Sequence, residues 1–181
     1  MIVETVTTTR NADGSVNCAA MGVEWGEETI VIKPYAGTRT LRNLRATGTA
    51  VVNLTDDILL FAQAALGDPK PPTRAADAID GEVLADACSW REVEVRLIEA
   101  EGPRARVPTR VVGRGRGREF VGFNRACHAV LEASILASRA RRLPAAEIHA
   151  ELARLAVLVD KTAGPREREA MDYVRAAIGA G

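Results

Sequence analysis

"KPYAGTRTLRNLRATGTAVVNL", residues 33–54, decides the fold. The apolar strand "ETIVIKP" (28–34) runs into it and stops at Pro34, which has no N–H to give a β-ladder. Gly37, Thr38, Arg39 and Thr40 then place two hydroxyls and a guanidinium at the mouth of a short helix, predicted over 38–48. Thr38 or Thr40 suits its N-cap and Gly48 the position just past its end. The strand "TAVVNLT" (49–55) follows. The first N–H groups of a helix have no intrahelical acceptor and favour a phosphate. The threonine hydroxyls and the Arg39 fork add donors, and Gly37 lets the backbone come close. Asn43, one turn on, shares a side with Arg39 or Thr40. The stretch therefore predicts a phosphate site, although an ordinary capped helix with solvated arginines has the same spacing.

Upstream, "IVETVTTTR" (2–10) and "SVNCAAMGVEW" (15–25) read as two strands joined by the turn "NADG", so the chain opens with a β-hairpin. The small residues of the second strand leave room beside its backbone for a flat ring held by main-chain groups, and Gly22 permits close approach. A strand packed against a neighbouring helix would need the same small residues. Downstream, "DDILLFAQAAL" (56–66) is a helix started by an Asp pair. "GDPKPPTRAADAIDG" (67–81), with three prolines and two glycines, reads as a mobile loop. "CSWREVEVRLIEAEG" (88–102) and "RARVPTRVVGRG" (104–115) alternate as paired strands, and "REFVGF" (118–123) reads as a last short one. From Asn124 the period becomes helical. Helices are expected over 125–143, over 144–164 with the stripe Ile148, Leu152, Leu155 and Val159, and beyond Gly164-Pro165 with Met171, Val174 and Ile178 on one face. Strands first and helices last indicate an α+β fold, with a strand-rich domain at 1–123 and a C-terminal helical segment of about three helices at 124–181.

The 181 residues are 47% hydrophobic, and 24 basic side chains balance 24 acidic ones. No global field draws the chain to nucleic acid or to an anionic membrane. No stretch approaches the ~20 apolar residues of a membrane span. "MIVETVTTTR" has polar residues where a signal peptide needs an apolar run, and three scattered cysteines fit a reducing compartment, so a cytoplasmic location is expected. "GRGRGRE" (113–119) reads as a glycine-rich turn with solvated arginines rather than an RNA-binding run or a phosphate loop. Cys127 and His128 diverge by ~100° on a helix, and no cluster has metal-ligand spacing. No nucleophile–base motif is present.

In order, "N-x-A-x-M-G-V", "KPY-x-G-T-R-T-x-x-N-L-x-x-TG", "AVVNLTDD" and "LFAQAAL" resemble the FMN-binding split β-barrel proteins, which include flavin reductase-like and pyridoxamine-oxidase-like members. Within them the chain looks most similar to an uncharacterised archaeal-type family also found in methylotrophic bacteria. "GFNRACHAVLEASILASR" and "KTAGPREREAM" resemble the tail of that family. The resemblance implies FMN as cofactor, with its phosphate near Thr38, Arg39 and Thr40 and support from Asn43. It puts the isoalloxazine along Met21, Gly22 and Val23 and along Lys33, Pro34 and Tyr35. Lys33 would bring positive charge to the pyrimidine edge of the ring. Ala20 stands where such proteins often carry proline. The resemblance also implies a homodimer with flavin between subunits, a small-molecule substrate, and contacts from Phe123, Asn124 and Arg125, for which a helix start with an Asn cap is the plain alternative. A flavin-dependent oxidoreductase linked to tetrahydromethanopterin-dependent one-carbon metabolism is the implied function. A non-enzymatic flavin or pterin carrier is the alternative, with deazaflavin in place of FMN left open.

Overall fold

The computed structural model describes residues 1–179. Contacts divide them into two units, 1–55 with 69–119 and 56–68 with 120–179.

The first unit is a closed barrel of six antiparallel strands: β1 (Ile2–Arg10), β2 (Val16–Glu24), β3 (Thr29–Ile32), β4 (Thr49–Leu54), β7 (Ser89–Val95) and β8 (Val107–Arg116), in the spatial order β1-β2-β3-β8-β7-β4. β1 and β2 pair along their whole length around the "NADG" turn, where Gly14 takes φ +83°. β2 and β3 share a single residue pair, Glu24 with Val31. The strand period sends Val23, Ile30, Ile32, Ala50, Val52, Val93, Val107 and Val111 into one buried cluster. Helix α1 (Arg39–Thr47) adds Leu41 and Leu44 to that cluster and so plugs the barrel. Alternate threonines of β1, Thr5, Thr7 and Thr9, are also buried. Thr5 donates to the Met21 carbonyl (3.0 Å), Thr7 lies 3.4 Å from Thr5, and Thr9 accepts from side chains near α1. Thr109 likewise donates to the Ile30 carbonyl at 2.7 Å.

The opposite face of the sheet carries a second, polar packing arrangement. The register shifts by one residue between Val111 and Gly113, which moves Gly113 and Gly115 to the face of Glu92 and Trp90. A Cβ at Gly115 would lie 2.0 Å from the Trp90 ring, and one at Gly117 2.1 Å from the Ala87 carbonyl oxygen. The arginine–glycine run is therefore strand through Arg116, not a turn; Gly115 makes room for the indole and Gly113 for the Glu92 carboxyl. Arg114 pairs with Glu28 (3.0 Å), and Arg118 donates to the Asp86 carbonyl (3.0 Å), while Arg116 is exposed.

The expected loop at 67–81 contains half of a short hairpin, β5 (Thr73–Ala75) with β6 (Glu82–Leu84). Distant buried side chains hold it. Glu92, 1% exposed, accepts from the backbone N–H groups of Asp77 (3.1 Å) and Ala78 (2.6 Å) and from the Trp90 indole (3.2 Å). Asn53 accepts from the Leu84 N–H and donates to the Val6 carbonyl, each at 3.0 Å. The Arg74 guanidinium stacks over Trp90 at 4.3 Å. The strand expected at 118–123 does not form. Beyond Gly117 the Val121 N–H turns to the Asp56 carboxylate instead of a ladder partner.

The second unit holds α2 (Ile58–Leu66), α3 (Arg125–Ala137), a 3₁₀ turn (Ala140–Arg142), α4 (Ala145–Thr162) and α5 (Pro165–Gly179). Helix α2 lies within the stretch that the sequence assigns to the barrel, yet it packs with α3 and α5. Its N-cap, Asp57, accepts from Leu60 N–H (3.1 Å) and takes the Arg166 fork from the start of α5 (2.7 and 3.2 Å). Of the anticipated stripes, Ile148, Leu155 and Val159 on α4 and Met171 and Val174 on α5 are buried, while Leu152 and Ile178 are half-buried.

Candidate functional site

The site grows from α1. Thr38 is the N-cap, in extended conformation, and its hydroxyl accepts from Leu41 N–H (3.4 Å) while donating to the Tyr35 carbonyl (2.8 Å). Gly48 closes the other end with φ +70°, the left-handed geometry that glycine adopts without strain. Before the cap, Gly37 takes φ +79°, and no atom lies within 4 Å of where its Cβ would be. The turn thus faces open space. Arg39 is exposed in the first helical turn, and Arg42 donates to the Gly37 carbonyl (2.6 Å), bracing the turn from behind.

Thr40 and Asn43 face the other way. Both are buried. Asn17, from β2, donates to the Thr40 hydroxyl and to Thr9 (3.1 Å each). Asn43 donates to Thr9 (3.0 Å) and Asn11 (2.8 Å). This network fixes the rotation of α1 on β1 and β2, and with it the direction in which the N-terminal amides point. It uses both Asn43 amide hydrogens, so the side chain that the sequence suggests for ligand support holds the helix in place. Asn17, which opens the "N-x-A-x-M-G-V" motif without an assigned role, is a participant.

On β2, Val23 is buried in the barrel core and can offer a ligand only its main chain. Gly22 has a local reason to be glycine: a Cβ there would lie 2.8 Å from both the Glu4 carboxylate and the Ile2 side chain. The space beside it is filled from β1. Met21 is half-buried against the core cluster. Because β2 meets β3 only at Glu24, the β2 edge from Val16 to Val23 has no β3 partner. Its backbone groups border the gap that α1 plugs, where a planar ligand could hydrogen-bond.

Lys33 donates to Glu24 across the strands (2.8 Å), and this contact holds the Glu24 carboxyl below its usual range. The lysine therefore brings an ion pair rather than a lone positive charge. Pro34 is buried; its carbonyl accepts from Ala105 N–H (2.9 Å), and Ala36 N–H donates to Pro103 (3.0 Å), so residues 34–36 are tied to the strand arm before β8. Tyr35 is exposed, with the Arg104 guanidinium stacked 4.0 Å above its ring and donating to its hydroxyl. Arg104 carries no distinguishing signal in the sequence. In the helical unit, Asn124 is the N-cap of α3, accepting from Ala126 N–H at 2.7 Å, as the plain alternative held. Phe123 stacks on His128 and meets Phe120 edge-on.

A closed six-stranded antiparallel barrel joined between β2 and β3 by a single residue pair, with a plugging helix that follows β3, defines the α+β split β-barrel fold found in FMN-binding proteins. The chain belongs to the DUF447 family: residues 3–118 match its N-terminal domain and residues 124–176 a second segment, both described as protein of unknown function. The fold is similar to that of an FMN-bound protein of the same family from Methanosarcina mazei, with a TM-score of 0.87, 22% identity, and 97% of this chain and 94% of that one covered. The fold is likewise similar to that of 2-nitrobenzoate 2-nitroreductase from Pseudomonas fluorescens (TM-score 0.56, 20% identity, 64% of each chain). It is also similar to the styrene monooxygenase flavin reductase from Pseudomonas putida (TM-score 0.55, 17% identity, 62% of this chain and 79% of that one).

Proposed function

We propose that the protein binds FMN and acts as a flavin-dependent reductase on a small molecule, as a homodimer. The observation that carries this is the braced, outward-facing turn at Gly37–Arg39, in a chain similar over nearly its full length to an FMN-bound member of its family. The donor set fits a phosphate dianion: backbone N–H groups at a helix N-terminus and the Arg39 guanidinium, with Thr38, whose hydroxyl proton goes to the Tyr35 carbonyl, shaping the turn as its N-cap. Thr40 would contribute its backbone, since its hydroxyl is engaged by Asn17. The ring would lie along the unpartnered edge of β2 at Met21–Val23 and against Lys33–Tyr35. The Glu24–Lys33 pair would sit near its polar rim and Tyr35, under Arg104, at its border.

Bound flavin supplies hydride transfer, which side chains cannot. The protein's own groups orient it and fix the charge around it. The family resemblance puts forward a link to tetrahydromethanopterin-dependent one-carbon metabolism. The purified protein is expected to be yellow and to release FMN on denaturation. Arg39→Ala should weaken FMN retention about tenfold or more, the scale of one charge-assisted phosphate contact. Unchanged affinity in that variant would refute the phosphate assignment. Anaerobic reduction of bound flavin by NADH or NADPH separates a reductase from a carrier, which would bind flavin without turnover.

A further inference from the structure

The helical unit has a cavity that the flavin reading does not use. It lies among the end of α3, the 3₁₀ turn, the start of α4 and the end of α5, is about half open to solvent, and has a volume of about 440 Å³. That is within the ~300–1,000 Å³ typical of small-molecule sites. Ile148 and Ile178 form apolar walls, and Ala140 and Ala177 keep the hollow open, where larger apolar side chains would close it. The rim is basic: Arg141 and His149 line it and are exposed, and no acidic side chain lines it among the described residues. The 3₁₀ turn continues the positive charge with Arg142.

We propose that this cavity binds a small amphipathic anion, an apolar body of roughly aromatic-ring size bearing one carboxylate, sulfonate or phosphate. The apolar body would gain from leaving water against the isoleucines, and the anionic end would stay at the rim in reach of Arg141. The cavity lies wholly within the helical unit, so the inference stands apart from the flavin proposal.

The test uses the full chain, saturated with FMN so that any flavin site is filled, and anilinonaphthalene sulfonate as probe. Titration by fluorescence should give one saturable site, and alanine-methyl NMR should place the probe at Ala140 and Ala177. Arg141→Glu changes an exposed residue and should leave the circular dichroism spectrum unchanged while weakening the probe at least about fivefold. The uncharged phenylnaphthylamine should bind correspondingly less well than the sulfonate. Absence of saturable binding, methyl shifts confined elsewhere with line broadening at the exposed Phe120–Phe123 segment, or equal affinity in Arg141→Glu would each overturn the proposal.

Discussion

Gly115→Ala is the sharpest test of how β8 is built. The added Cβ would lie 2.0 Å from the Trp90 ring and within 2.5 Å of two more of its atoms, where ordinary contact begins at 3.4 Å. Trp90 is 5% exposed and cannot swing into water without leaving its slot. Relief of the overlap moves the indole off both partners, the Glu92 carboxylate at 3.2 Å and the Arg74 guanidinium at 4.3 Å. Overpacking costs about 1–3 kcal/mol, a hydrogen bond to a buried carboxylate about 1.5–3, and the cation–π contact about 0.5–1. These effects overlap, and a net loss of about 4 kcal/mol is expected. Urea unfolding followed by circular dichroism measures it, with Arg116→Ala, an exposed neighbour, expected within about 0.5 kcal/mol of wild type. A Gly115→Ala loss below about 1 kcal/mol at unchanged m-value would refute the packing argument. A large loss in Arg116→Ala would show that the arginines, not the glycines, explain the run.

Three further outcomes follow from the same geometry. Glu92→Gln sets an amide NH₂ against at least one of the three N–H donors the carboxylate accepts, and should cost about 2–3 kcal/mol while speeding tryptic cleavage after Arg74. Asn43→Ala removes a buried hydrogen bond from α1 to Thr9 of β1 and a part-buried one to Asn11 in the following turn, and should cost about 1–2 kcal/mol in the same unfolding assay. The Cys127 thiol is pushed up to about 11 by burial and the nearby Glu167, so at pH 8 its alkylation by iodoacetamide should be far slower than that of an unhindered cysteine. Since the folded state favours the neutral thiol, this contribution is intact below pH 9 and lost as pH rises toward 11. Cys127→Ala should flatten that alkaline decline in stability.

What could be read in the sequence was what local chemistry fixes. Thr38 and Gly48 bracket α1 because an N-cap hydroxyl and a left-handed residue are demands of the helix itself. The "NADG" turn and the switch from strand period to helix period are equally local. The hairpin at 73–84 was not readable, since its strands have three residues each and owe their place to Glu92 and Asn53, far along the chain. Helix α2 is apolar on every side, which says that it is buried but not among which helices. At the site, the turn from Gly37 to Arg39 faces outward as its composition suggests. Thr40 and Asn43 have the same polar chemistry and face inward, because Thr9, Asn11 and Asn17 are there to receive them. Donor capacity is written in a residue's type; the direction it points is decided by its neighbours.

The single residue pair between β2 and β3 leaves the barrel laced on five sides and barely stitched on the sixth. Opening should begin along that stitch, so amides on the free lip of β2 should exchange with solvent sooner than those shared with β1. A molecule gripping α1 with one end and the β2 lip with the other would act as a clasp across the weakest line of the wall. Its arrival would register as slowed exchange along that lip.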